Sequence, residues 1–252
     1  MPTGALTAYL DVAQVCLYAF WIFFAGLVFY LRREDRREGY PLVSDWSDDQ
    51  RALVYWPPPP PKTFKMPHGV VSSGRVDRRE LNARPTAPWP GAPLRPVGNP
   101  LLDGIGPAAW ADREDVPEMT SDGLPLIVPL RAAPAFAVEE RDPDPRGMAV
   151  VGADGAVGGT VTELWVDRAE PQIRYLEVEV AGPRRVLVPM TLARVHPAER
   201  QVRVASILGR QFADVPGLKS MDQVTKLEED RVSAYYGGGN LYAVPSRSEP
   251  LL

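Results

Sequence analysis

From Val12 to Leu31 the chain runs for twenty residues without a charge, and Gln14 is the sole amide among them. At 1.5 Å per residue a helix of that length covers about 30 Å, the hydrocarbon thickness of a bilayer. Aromatic residues crowd the stretch, and Tyr9 and Tyr30 fall near its two water interfaces. The pattern predicts a transmembrane helix over 12–31 behind a short N-terminal segment, 1–11. A cleaved signal would need basic residues ahead of a shorter apolar core and small residues after it. Here no Lys or Arg precedes the stretch, and Leu31-Arg32-Arg33 closes it.

Residues 32–147 read as an extended proline-rich arm: from residue 41 on they show no long helical or strand period, and prolines punctuate them from the Pro57–Pro61 run to Pro100. A stiff polyproline run suits either a proline-binding partner or an arm laid over another protein. The interleaved Trp56, Phe64 and Trp89 favour the arm. Pro107 predicts the first position of a short helix carrying Trp110.

Over 148–215 the pattern turns to strands. Ala153-Asp154-Gly155 reads as a hairpin turn between Met148–Gly152 and a strand over Val157–Val166. Leu176, Val178 and Val180 alternate with Glu177 and Glu179, which predicts a half-buried strand with one wet face. Gly182-Pro183 turns the chain into Arg185–Val188, and Gln201–Ile207 supplies a further strand. Short strands at such spacing predict a small antiparallel barrel or sandwich. Over 216–252, Ser220 and Gln223 read as a capping box, followed by a helical stripe of Val224, Leu227 and Tyr235. Gly237-Gly238-Gly239 follows that helix instead of opening one, so it reads as a helix stop and not a phosphate loop.

Composition narrows the chemistry. With one cysteine (Cys16) and two histidines (His68, His196), neither an internal disulfide nor a four-ligand Cys/His zinc site can be assembled. A net charge of −4 argues against a nucleic-acid binder. Gln14 and Cys16 face a partner helix or are simply tolerated near the interface. Arg32, Arg33, Arg36 and Arg37 follow the span while only Asp11 precedes it. The positive-inside rule then puts the N-terminus outside and residues 32–252 in the cytoplasm.

The segment Ala19–Leu27 followed by Arg37-Glu38-Gly39-Tyr40-Pro41-Leu42 resembles the anchor of the purple-bacterial photosynthetic reaction-centre H subunit. The likeness continues in order through Lys62-Thr63-Phe64, Pro67-His68-Gly69, the stretch 99–118, Trp165-Val166-Asp167, Leu176-Glu177-Val178-Glu179 and Leu227-Glu228-Glu229-Asp230. It implies one transmembrane helix, a mainly β cytoplasmic domain of the PRC-barrel kind, and a C-terminal helix, in a bacterial inner (chromatophore) membrane. It also implies a subunit without pigment or catalytic site of its own. Such a subunit caps L and M subunits that hold bacteriochlorophyll, bacteriopheophytin, quinones, a non-haem iron and carotenoid. Antenna polypeptides, a cytochrome subunit and lipids are further implied neighbours.

A proton relay toward the secondary quinone is implied as well. It needs carboxylates whose pKa is moved by burial or by nearby charge. By resemblance Glu170 and Arg174 take this role, with Asp167 beside them and Glu229 the inward member of Glu228-Glu229-Asp230. Some family members carry histidines after the Asp-x-Pro-Glu motif. Here Asp115-Val116-Pro117-Glu118 is followed by none, and Asp122 is the candidate stand-in at the point of proton uptake. His68 reads as a structural hydrogen-bonding residue. The rival readings are a membrane-tethered PRC-barrel adapter of another pathway and an anchored hydrolase. No G-x-S-x-G, H-E-x-x-H or P-loop pattern supports the latter.

Overall fold

The computed structural model describes residues 4, 11–37, 59–60, 62–67, 69–72, 79–88, 92–182 and 184–248. Tyr9, Trp56, His68, Trp89, Pro183 and most of the Pro57–Pro61 run lie outside these. The chain divides into two compact units, Met1–Arg78 with Trp89–Gly91, and Arg79–Pro88 with Ala92–Leu252.

In the first unit α1 spans Val12–Glu34. Its start is a capping box: Asp11 Oδ1 accepts from the Gln14 amide nitrogen at 2.7 Å, and Gln14 Oε1 accepts from the Asp11 amide at 3.1 Å. Gln14 therefore closes the helix end, which explains an amide in an otherwise apolar run. No side chain of α1 is buried, and the helix is long and apolar enough to cross a membrane. A 3₁₀ turn, Asp35–Arg37, continues it, and Glu34 pairs with Arg37 at 2.7 Å and Lys62 at 2.8 Å. Strands β1 (Thr63–Met66) and β2 (Gly69–Ser72) form an antiparallel ribbon.

The second unit begins with another small ribbon, β3 (Ala83–Pro85) with β4 (Leu94–Pro96). Its main sheet has seven strands: β5 (Ile127–Pro129), β6 (Ala149–Val151), β7 (Val157–Asp167), β8 (Gln172–Val180), β9 (Arg185–Pro189), β10 (Ala193–His196) and β11 (Gln201–Val204). The hydrogen-bonded order is β10-β11-β6-β7-β8-β9. Every pairing is antiparallel except β11 with β6. One edge of the long β7 pairs along β8, and the other is shared in succession by β6 and β5. The sheet thus takes a strand, β5, from the segment that reads as a proline-rich arm. The β6–β7 hairpin turns where expected, with Gly155 at φ 74° and the Ala156 amide bonded to Asp154 Oδ1.

Helix α2, Lys226–Tyr242, lays Val232, Tyr235 and Tyr236 into the core made by Leu164, Trp165, Leu176, Leu187, Ile207 and Phe212. Three sequence expectations are corrected here. The capping box is Thr225 with Glu228, and Ser220 instead caps a turn by accepting from the Asp222 amide. The glycine triplet does not stop the helix, which runs through it. A Cβ on Gly238 would stand 2.7 Å from Ala108 Cβ, and one on Gly239 2.3 Å from the Ser206 carbonyl. Only glycine lets the helix approach that closely, so packing overrides the local breaker signal. Pro107 sits inside a 3₁₀ turn, Gly106–Ala108, that ends before Trp110. Trp110 is instead flanked by the guanidinium groups of Arg79 and Arg231, at 3.9 and 4.4 Å from its ring centre.

Candidate functional site

The segment 111–118 is strapped along the start of α2. Asp115 Oδ1 accepts from the Thr225 hydroxyl at 2.9 Å, and its other oxygen pairs with Lys219. Those two bonds hold its carboxyl below the usual aspartate range. The Lys226 amide donates to the Val116 carbonyl at 3.1 Å, and Lys226 Nζ pairs with Glu114 at 3.3 Å. This strap brings Arg113 and Glu118 to the seam between α2 and β8.

At that seam the three consecutive acids of α2 part ways. Glu228 is buried as the cap partner and accepts from the Thr225 and Lys219 amides at 2.9 and 2.7 Å. Asp230 accepts from the Ala111 amide at 2.9 Å and lies 3.8 Å from Arg113. Glu229, half-buried, accepts from the Tyr175 hydroxyl of β8 at 2.9 Å. Burial pushes the Glu229 carboxyl above its ordinary value, and the nearby Glu118 charge adds to this. The Tyr175 bond and the charges of Arg174 and Arg113 oppose the rise without cancelling it. The Tyr175 phenol is raised too, first by burial and then by the Glu229 charge.

Of the residues singled out in the sequence, the structure brings Arg174 and Glu229 together at this seam. Asp167 and Glu170 belong to the β7–β8 turn. Asp167 is buried and accepts from the Ala169 and Glu170 amides at 2.9 and 3.2 Å, so it builds the turn. Glu170 is exposed and accepts from Gln172 Nε2 at 3.1 Å. Asp122 is exposed at the tip of a turn closed by the Met119–Pro125 bridge, with no ion pair among the described residues. Among the described residues no group of three or more His, Cys, Asp or Glu is placed to hold a metal.

One charged residue escapes the strand pattern. Glu177, expected on a wet face, is fully buried. It accepts from Arg131 Nη1 at 3.0 Å, Arg185 Nη1 at 3.1 Å and Trp165 Nε1 at 3.0 Å. Arg131 also reaches Met221 O and Asp222, tying this carboxylate to the loop ahead of α2. The available signal was Trp165 itself: a tryptophan of the neighbouring strand needs an acceptor for its N–H once buried.

Comparison with known families accounts for both parts of the chain. The family model of the photosynthetic reaction centre H-chain N-terminal region matches residues 4–132, just over half of the chain. That of the PRC-barrel domain matches residues 137–211, which include β6 to β11. A general PRC-barrel adapter has no need of the first region. Proteins of the H-chain family are membrane-associated structural subunits that partner the reaction centre's L and M subunits. With the H-chain model matched over half of the chain, the PRC-barrel model matched directly after it, and an apolar N-terminal helix ahead of a mainly β domain, the chain belongs to the photosynthetic reaction-centre H-chain family.

Proposed function

We propose that this chain caps the cytoplasmic face of the L and M subunits, shields the quinone sites, and helps deliver protons to the secondary quinone. The observation that carries the proton role is Glu229: a half-buried carboxyl with a raised pKa, bonded to a phenol and flanked by Arg174 and Arg113. A carboxyl shifted this way takes up and releases a proton closer to neutral pH than a solvated one. The quinone, held by L and M, supplies the proton-consuming reduction when bound. This chain's residues only hold and pass protons: Arg174 tempers the Glu229 pKa, and Glu170 offers an exposed carboxylate at the neighbouring turn. The chain binds no cofactor itself under this reading, and the pigments, quinones, iron and carotenoid sit in its partners. Antenna polypeptides, a cytochrome subunit and lipids are its further neighbours.

Arg32 and Arg33 in the last turn of α1, with Arg36 and Arg37 just beyond it, support a periplasmic N-terminus and a cytoplasmic main domain. Protease added to inside-out vesicles should digest beyond residue 40, and digestion only from the periplasmic side would reverse the topology. For the proton role the test is flash kinetics on assembled complexes across pH. Glu229→Gln and Glu170→Gln should leave charge separation and the first electron transfer intact and slow the proton-coupled second transfer. Arg174→Gln should shift its pH dependence upward, because losing a positive charge raises neighbouring carboxyls. Second-transfer rates equal to wild type in both glutamine variants would sink the proton role and leave the cap.

A further inference from the structure

Tyr175 is buried, yet its hydroxyl is not idle. It donates to Glu229 Oε2 at 2.9 Å, and the hydroxyl of Ser233 interacts with the same phenol oxygen. Glu229 and Ser233 are one turn apart on α2, so they flank Tyr175 from one helix face. Ser233 is exposed, Tyr175 buried and Glu229 half-buried, so the phenol is the sealed middle of the row Ser233–Tyr175–Glu229. A phenylalanine would fill the same core position without the cost of burying a hydroxyl, so packing alone gives no reason for a tyrosine here.

We propose that the Tyr175 hydroxyl links solvent at Ser233 to the Glu229 carboxylate, passing protons between them at a point of uptake that needs no histidine. This rests on the proton-delivery reading above. In the step Tyr175 gives its proton to Glu229 Oε2 while its oxygen takes one from the Ser233 hydroxyl, and the Ser233 oxygen takes one in the same event from a protonated water, which is left as neutral water. Only O–H bonds break and form, and nothing is oxidised or reduced. Burial and the Glu229 charge disfavour a free phenolate, so the two transfers at Tyr175 occur together. The charges facing the pair are Arg174 on β8 and Arg113 and Glu118 on the strap, two positive and one negative. Arg174 and Arg113 offset part of the rise that burial and Glu118 impose on Glu229, so its carboxyl can both take up and give back a proton.

The test uses assembled complexes carrying Tyr175→Phe, Ser233→Ala or Glu229→Gln. Infrared pH titration follows the carboxyl band that disappears in Glu229→Gln, and flash-induced proton uptake is timed in parallel. Tyr175→Phe removes a donor that favours the charged carboxylate, so the Glu229 midpoint should rise by about one pH unit. Proton uptake should slow by about tenfold or more. Ser233→Ala, at an exposed position, should slow uptake as well, and it carries the test if Tyr175→Phe does not assemble. An unmoved midpoint and wild-type uptake in Tyr175→Phe, with uptake slowed in Glu229→Gln, overturn the link while the delivery reading stands. Wild-type uptake in Ser233→Ala overturns its outer arm. Wild-type uptake in Glu229→Gln overturns the delivery reading, and the link with it.

Discussion

Replacing Glu177 with leucine should be among the most damaging single changes in the β domain, and its size follows from the four groups around the carboxylate. Trp165 Nε1, 3.0 Å away on a fully buried side chain, would lose its acceptor, a loss of about 1–3 kcal/mol. Arg131 and Arg185 would lose charge-assisted bonds at 3.0 and 3.1 Å. Their side chains are 36% and 46% exposed, so both can turn toward water. Breaking a sealed pair costs about 3–5 kcal/mol, and this site should fall at the low end, about 3 kcal/mol in all. Thr162 Oγ1, at 3.4 Å, adds little. Glu177→Gln keeps an oxygen for Trp165 and should lose about half as much. Thermal unfolding of the full chain in detergent, followed by near-ultraviolet circular dichroism, should show the leucine variant melting about 6–12 °C lower. Adding Trp165→Phe to Glu177→Leu removes the orphaned N–H, so the double variant should lose less than the two single losses added. A leucine variant melting at or above wild type would refute the reasoning. It would show that the arginines are hydrated surface groups and that the buried charge is a burden apolar packing relieves.

Other outcomes follow from the same contacts. Gly239→Ala gains about 1 kcal/mol of helix propensity but puts a Cβ 2.3 Å from a backbone carbonyl and 2.6 Å from Ile207 Cγ2. It should destabilise by about 2 kcal/mol in urea titrations, whereas Asn240→Ala, exposed on the same helix, should not; equal curves would deny the close approach. A fragment beginning at Met148 lacks β5 and Arg131 and should unfold at lower urea than one beginning at residue 125, and coincident curves would make β5 dispensable. Because burial raises the Glu229 pKa, the native state binds that proton more tightly than the unfolded chain, and stability falls as pH rises above the ordinary glutamate value. Glu229→Gln should therefore gain on wild type as pH climbs through that window, and a constant difference would mean the carboxyl is solvated.

How much of this was legible in the sequence depends on whether a signal is local. An uncharged apolar run has one physical outcome, so α1 could be read off directly, and the turn at Asp154-Gly155 likewise carries its own geometry. The helix start was ambiguous because Ser220-x-x-Gln223 and Thr225-x-x-Glu228 both fit a capping box. Glu228 prevails with a second amide, that of Lys219, within its reach, while Thr225 is bridged to Pro117 from the strap. The glycine triplet misleads for the opposite reason: its local signal is strong, but the cause of the glycines lies at Ala108 and Ser206, far along the chain. Glu177 fails the alternation rule because β8 has buried residues on both faces, and the rule assumes that one face is wet. The proton site combines these difficulties. The resemblance points first to Glu170 at an exposed turn, where the acid is easily seen beside Arg174. The carboxyl that burial actually perturbs is Glu229, and its neighbours Tyr175, Arg113 and Glu118 come from two other segments. No spacing in the sequence encodes that meeting, because the strap at Asp115 and Thr225 creates it. On the proposed reading the proton chemistry therefore lies at the helix–sheet seam, where burial perturbs Glu229, while Glu170 stands on the exposed turn between β7 and β8.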